Sequence, residues 1–200
     1  MRSVLPRFYP IFDRAHWLER ALPLGVRMVQ LRIKDLAGEA LRGELRQGLA
    51  LARRHGAILV VNDHWELALE EGAAWVHLGQ EDLEGADLAA LRRGGVRLGV
   101  STHDPAELER ALACAPDYVA LGPVYPTRLK AMPWAPQGLA RLTEWKARIG
   151  DLPLCAIGGM TVERAGAALA AGADLVSVVT DITLHEDPEA RIGAWLEYDR

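Results

Sequence analysis

The chain has two cysteines in 200 residues, Cys114 and Cys155, and they are far apart. They show no metal-ligand spacing, and both lie in apolar stretches, so they read as buried, reduced thiols of a cytoplasmic protein. No apolar run approaches the roughly 20 residues that cross a bilayer. Arg2 and Arg7 are not followed by a signal-type apolar stretch. Neither feature suggests a membrane partner. Excess positive charge is also lacking: 23 Lys and Arg stand against 27 Asp and Glu, for a net charge of −4. Nucleic acid, which calls for a concentrated basic face, is therefore not the expected partner. A small anionic ligand remains compatible, because local charge decides that. No low-complexity tract or Pro/Gly/Ser linker divides the sequence, so residues 1–200 are expected to form one domain. The composition leaves a homo-oligomer open. The first apolar run ends in Phe12-Asp13-Arg14-Ala15, without glycine. That absence argues against an open doubly wound sheet, which needs a glycine-rich phosphate loop there. The leucine spacing of a leucine-rich solenoid is missing too.

What is present is rhythm. Short apolar runs recur about every 20–25 residues with helical stretches between them, the pattern of repeated βα units. Eight runs can be counted: Phe8–Phe12, Met28–Leu31, Ile58–Val61, Trp75–Leu78, Arg97–Val100, Tyr118–Leu121, Leu154–Ile157 and Leu175–Val179. Most are continuously apolar rather than alternating, as expected of parallel strands covered on both faces. The fold class expected is α/β, a (β/α)8 TIM barrel close to the lower size limit.

Helices are expected over 41–55, closed by Gly56, over 64–71, closed by Gly72, and over 83–93, closed by Gly94-Gly95. Asp104-Pro105 reads as an N-cap followed by proline at the first helical position. Further helices are expected from Thr161 to Ala171 and from Pro188 to Tyr198.

In such a barrel, function sits where strands end. After the second strand come Gln30, Arg32 and Lys34 at alternate positions, so they share a face. After the third come Asn62 and Asp63, and after the fourth Gln80, Glu81 and Asp82. Asn62-Asp63 is also a good turn and cap pair, and Asp82 could cap the helix over 83–93. On adjacent parallel strands, however, Asp63 and Asp82 could together hold one hard divalent cation, which would hold phosphate oxygens. The fifth strand ends in Ser101-Thr102-His103, where His103 by itself reads as an ordinary loop histidine. The sixth leads into the longest irregular segment, with Thr127, Arg128 and Lys130 able to close over a polyphosphate. The seventh ends in Gly158-Gly159, where a backbone can approach an anion and the helix start at Thr161 adds N–H groups. The eighth carries Ser177. Two anion regions result. One uses carboxylate-held Mg²⁺ with Arg32, Lys34 and Lys130 and suits a pyrophosphate. The other uses Gly158-Gly159 and Ser177 and suits a monophosphate. The scattered Trp, Tyr and Met residues read as packing.

Together, the stretches Gln30–Lys34, Val61–Asp63, His77–Asp82, Gly99–His103, Asp117–Pro123, Thr127–Lys130 and Ala156–Gly159 resemble thiamine-phosphate synthases over nearly the whole chain. The resemblance implies a cytoplasmic enzyme of thiamine biosynthesis. Its substrates would be hydroxymethylpyrimidine diphosphate and a thiazole phosphate, and it would release pyrophosphate with Mg²⁺ as cofactor. It implies Asp63 and Asp82 as metal ligands, and Arg32, Lys34, Asn62, Thr127 and Lys130 at the diphosphate, with Arg32, Lys34 and Lys130 acting in catalysis. Gln30 and Ser101 would face the pyrimidine, and Gly159 and Ser177 the thiazole phosphate. Leu129 departs from the pattern, where a hydroxyl residue is usual. The related thiazole tautomerases are similar at Ile157–Thr161 but tend to lack the aspartate matching Asp63, and a histidine can stand there in place of Pro123. A phosphate-binding module without turnover is the remaining alternative.

Overall fold

In a computed structural model that describes residues 5–127 and 135–199, the eight runs form eight parallel strands. They are β1 (Phe8–Phe12), β2 (Met28–Leu31), β3 (Ile58–Asn62), β4 (Trp75–Leu78), β5 (Arg97–Thr102), β6 (Tyr118–Leu121), β7 (Leu154–Ala156) and β8 (Leu175–Val178). They pair in chain order, and β8 returns to β1, closing the barrel. The helices are α1 (Ala15–Ala21), α2 (Gly38–His55), α3 (Trp65–Glu70), α4 (Gln80–Gly85), α5 (Leu88–Arg93), α6 (Pro105–Ala113), α7 (Gly138–Ile149), α8 (Val162–Ala170), α9 (Thr180–Thr183) and α10 (Pro188–Leu196). Among the described residues none is long and apolar enough to cross a membrane.

The apolar runs are continuous because both faces of each strand are buried. Outward side chains such as Val29, Val61, Val76, Val100, Val119 and Val176 join the helices in one cluster. Inward ones, including Tyr9, Met28, Val60, Trp75, Tyr118, Cys155 and Leu175, fill the barrel. Trp145 of α7 is fully buried outside the barrel and donates from Nε1 to Thr102 Oγ1 at 2.9 Å. Trp195 of α10 stacks on Phe8 with ring centroids 5.4 Å apart. Asp199 Oδ1 accepts from the N–H groups of Arg7 and Phe8 at 2.6 and 3.1 Å, tying the end of the chain to the start of β1.

Two expectations need correction. The stretch over 83–93 is not one helix. α4 begins at Gln80 and ends at Gly85, and Asp87 restarts the chain as α5 by accepting from Ala90 N–H at 2.8 Å. Its short polar side chain satisfies an N–H that a continuous helix would have bonded internally. Of the two thiols, Cys155 is buried, but Cys114 at the end of α6 is only partly so.

The barrel interior contains a polar chain that the reading of Tyr residues as packing missed. Gln30 Nε2 donates to Tyr9 Oη at 2.8 Å, and Tyr9 Oη lies 2.9 Å from Tyr118 Oη. Tyr118 Oη lies 2.7 Å from His77 Nδ1, and His77 Nε2 lies 2.8 Å from Ser101 Oγ. Gln30 donates to Tyr9 at one end, so using every buried hydroxyl hydrogen within the chain gives it a direction. Tyr9 accepts from Gln30 and donates to Tyr118; Tyr118 donates to His77 Nδ1; His77 Nε2–H donates to Ser101. His77 is therefore neutral, and burial holds its pKa down at about 4.

That value sets a pH dependence. The folded state keeps His77 unprotonated to about pH 4, whereas the unfolded chain takes up the proton near 6.5. Between those values the unfolded state binds more protons. His77 thus contributes a stability present above about 6.5 and lost as pH falls toward 4, up to roughly 3 kcal/mol. Urea unfolding from pH 7 to pH 4 is expected to show a steeper loss in the wild type than in His77→Gln. Parallel curves would contradict this. A second expectation concerns Gly99, where an added Cβ would fall 2.1 Å from the Tyr118 ring. Gly99→Ala should cost about 1–3 kcal/mol through overpacking, read as a lowered urea midpoint. An unchanged midpoint would show that Tyr118 moves without penalty.

Candidate active site

The C-terminal ends of the strands surround one cavity of about 320 Å³. Gln30, Arg32, Lys34, Asn62, Asp63, Asp82, Ser101, Thr127, Gly159 and Ser177 all line it. Lys130, Arg128 and Leu129 lie outside the described residues. The two anion regions read from sequence are thus opposite walls of a single space.

The acidic wall is built by strand register. Asn62 pairs with His77, and Asp63 N–H continues the ladder to His77 O at 2.9 Å. Asp63 has φ +62°, a left-handed backbone that aspartate tolerates better than most residues. It does not cap α3, whose N-cap is His64. Its side chain is 12% exposed and forms an ion pair with Lys34. Asp82 stands in the first turn of α4, three residues beyond its N-cap Gly79. Its carboxylate accepts from the Gly79 backbone, half of a capping box, while also facing Asp63. Cap and cavity roles coexist in this one side chain. Burial, and next the charge of Asp63, raise the pKa of Asp82 above the ordinary carboxylate range.

Two carboxylates facing each other with Lys34 beside them make a cation-seeking site. Among the described residues no group of three or more His, Cys, Asp or Glu side chains gathers. A preformed all-protein cage is thus absent from them. The donor set matches Mg²⁺, which is held by one or two carboxylates and completes its shell with water and phosphate oxygens. Arg32 is exposed at the rim and forms no ion pair among the described residues.

The opposite wall departs from expectation in its physics. The N–H groups of α8's first turn are already engaged. Val162 N–H reaches Asp181 Oδ2 at 3.3 Å, and those of Arg164 and Ala165 bond Thr161 O. The Glu163 carboxylate, held down at about 2 chiefly by Arg191, also takes bonds from Thr161 and its own backbone. Asp181 is anchored by Arg191 and by Trp195 Nε1 at 2.9 Å. The first turn of α8 is thus satisfied internally, and its N–H groups are engaged within the protein. The two glycines are needed for another reason as well. Their φ values are +94° and +63°. An added Cβ would meet Pro123 Cα at 2.6 Å from Gly158 and Pro126 O at 2.4 Å from Gly159. The loop after β6 fills that space, bonding through Tyr125 N–H to Gly158 O at 3.0 Å. Ser177 is buried and donates to Tyr9 O at 2.9 Å, which leaves its oxygen as an acceptor.

Sequence reasoning missed Tyr9, His77 and Tyr118. The signal for His77 was available: a polar residue in the apolar run Trp75–Leu78, at the same inward alternation as Trp75.

Comparison with known proteins agrees with this arrangement. The family model described as "Thiamine monophosphate synthase" matches residues 8–182. A Rhizobium etli protein named thiamine-phosphate synthase is 59% identical over 192 residues, 96% of this chain and 94% of its own. One from Salmonella newport is 50% identical over 189 residues, 94% of this chain and 90% of its own. The solved structure of thiamine phosphate pyrophosphorylase from Pyrococcus furiosus superposes with a TM-score of 0.84 at 25% identity, covering 96% of this chain and 94% of that one. The closed barrel, its single mouth and these matches along nearly its full length agree: the chain belongs to the thiamine monophosphate synthase family.

Proposed function

We propose that the chain is a transferase that joins hydroxymethylpyrimidine diphosphate to thiazole phosphate, giving thiamine phosphate and pyrophosphate. The observation that carries this reading is that the residues read from sequence for the two phosphates line one cavity. A reaction joining two phosphorylated molecules needs that proximity.

In the reaction, the bond between the pyrimidine methylene carbon and the diphosphate oxygen breaks, and its electron pair leaves with the oxygen. The ring nitrogen of the thiazole then uses its lone pair to form the new C–N bond and becomes cationic. No protein nucleophile and no net proton transfer are required. Arg32 and Lys34, with Lys130, would neutralise the departing diphosphate, and Asn62 and Thr127 would orient it by hydrogen bonding. Asp63 and Asp82 would hold Mg²⁺, which supplies a Lewis acid to the diphosphate oxygens when bound. Lys34, paired with Asp63 in the free protein, would turn to the diphosphate. Gln30 would face the pyrimidine. So would Ser101, whose oxygen accepts from His77 and whose own hydrogen is left to donate. Gly159 and Ser177 would face the thiazole phosphate. The partners are small molecules, and the reading makes the protein a cytoplasmic biosynthetic enzyme.

Incubation with both phosphorylated substrates and Mg²⁺ should yield thiamine phosphate and pyrophosphate, and EDTA should abolish the yield. Isomerisation of a thiazole precursor without the pyrimidine would instead indicate a tautomerase. Binding without either reaction would indicate a ligand-holding module. Asp82→Ala is expected to lower Mg²⁺-dependent kcat by on the order of 100-fold or more. Because the substitution also removes a like-charge contact, the unfolding midpoint should stay within a few degrees. Full activity in this variant would refute the metal-ligand assignment.

A further inference from the structure

The mouth of the barrel carries charged or polar groups at the ends of β2, β3, β4 and β6. β5 lies between β4 and β6, and the reading above gives it only Ser101. Residues two apart on a strand face the same way. Ser101 points inward, where it meets His77. Thr102 points outward, where its hydroxyl donates to Ala120 O and accepts from Trp145. His103 therefore points inward again, one layer nearer the rim, and it lines the cavity.

The imidazole is held in place. Its Nδ1 lies 2.7 Å from Glu107 Oε2, and the same oxygen accepts the His103 backbone N–H at 2.7 Å. Glu107 belongs to the first turn of α6, and its side chain is only 8% exposed. A buried carboxylate is costly unless it is paired, so this arrangement is too specific for a solvated loop histidine. The carboxylate accepts from Nδ1–H and fixes the ring plane.

We propose that His103 is a further catalytic residue of the transfer reaction, donating a hydrogen bond from Nε2–H to the departing diphosphate, with Glu107 as its positioning residue. This rests on the synthase reading. When the C–O bond breaks and the electron pair moves to the diphosphate oxygen, His103 donates a hydrogen bond to the leaving group. No proton changes owner and nothing is oxidised. Arg32 and Lys34 approach from β2, and His103 from β5, so the leaving group is held from both sides of the two aspartates.

The test compares wild type with His103→Ala, His103→Gln and Glu107→Gln in the full chain. Steady-state turnover and calorimetric binding of inorganic pyrophosphate with Mg²⁺ are measured. His103→Ala should lower kcat by on the order of 100-fold and weaken pyrophosphate by about 10-fold, with KM for thiazole phosphate unchanged. His103→Gln, which keeps a neutral donor, should recover part of that loss and carries the same comparison if alanine unfolds the chain. Glu107→Gln should weaken pyrophosphate less than His103→Ala. Wild-type kcat and pyrophosphate affinity in His103→Ala would overturn the proposal, as would a loss confined to KM for thiazole phosphate. A wild type that makes no thiamine phosphate would instead strike the synthase reading, and pyrophosphate affinity alone would then decide the place of His103.

Discussion

A closed parallel barrel lets each strand send only every second side chain inward, and eight strands leave an interior just wide enough to be filled. Everything at the mouth depends on how that space is divided. Met28, Val60, Trp75, Tyr118 and Leu175 fill the lower part with bulk. Gly99 on β5 gives up its side chain so that the Tyr118 ring can lie there. Above them the inward positions turn polar: Gln30, Asn62, His77, Ser101 and Ser177. Polar groups so deep must be satisfied. The directed chain from Gln30 to Ser101 does this with side chains of four strands beyond β2: β1, β6, β4 and β5. The floor of the cavity is thus a fixed array of donors and acceptors, set before any ligand arrives.

The rim is organised on the opposite principle. Asp63 and Asp82 are brought together although they repel, and the pKa of Asp82 is raised first by burial and next by that repulsion. Asp63 also occupies a left-handed backbone, a conformation that typically persists only where surrounding structure enforces it. The ladder bond from its N–H to His77 O provides that enforcement. Lys34 offsets part of the repulsion in the free protein. A floor tied together by a hydrogen-bonded chain and a rim with charges left in tension suit different tasks. In the proposed function the first would fix the orientation of a neutral ring, and the second would receive a cation and a polyanion.

The strands were legible in the sequence almost to the residue, because burial on both faces makes a parallel strand a continuous apolar run. The alternation of Gln30, Arg32 and Lys34 was legible for the same geometric reason. Asp82 was legible as a candidate for both cap and cavity, and sequence could not choose between them because its carboxylate accepts from the Gly79 backbone and lines the cavity at once. The break at Asp87 had signals in Gly85 and Asp87, but the helix-favouring residues around them outweighed these, and the extended backbone of Ala86 with the Asp87 bond to Ala90 N–H separates α4 from α5. α9 is four residues long and leaves no periodic signal. Tyr9 and Tyr118 were misread because an aromatic ring in an apolar run looks like packing, and its hydroxyl shows its partner only when the strands close. His103 was discounted for a related reason. Its partner, Glu107, is one helical turn away, and nothing in the spacing tells a buried pair from a solvated one.

The paired glycines show how a motif can mark the right place for an incomplete reason. Gly158 and Gly159 read as an approach for an anion, yet the space beside them is occupied by the backbone of Pro123 and Pro126. Val124 and Tyr125 bond to Ile157 and Gly158 at 2.8 and 3.0 Å, so the loop after β6 is laid along the loop after β7. Arg164 fastens the seam from outside, donating to Gly159 O at 2.5 Å with its guanidinium 4.5 Å above the Tyr125 ring. Thr127, proposed to face the diphosphate, follows directly on that seam, and Gly159, proposed to face the thiazole phosphate, forms its other edge. The separation between the Thr127 edge and the Gly159 edge is therefore fixed by main-chain hydrogen bonds rather than by flexible side chains. A reaction whose only covalent requirement is that a carbon and a nitrogen meet is served by holding the two phosphate ends at a set distance, and glycine is the residue that permits the two loops to come so close.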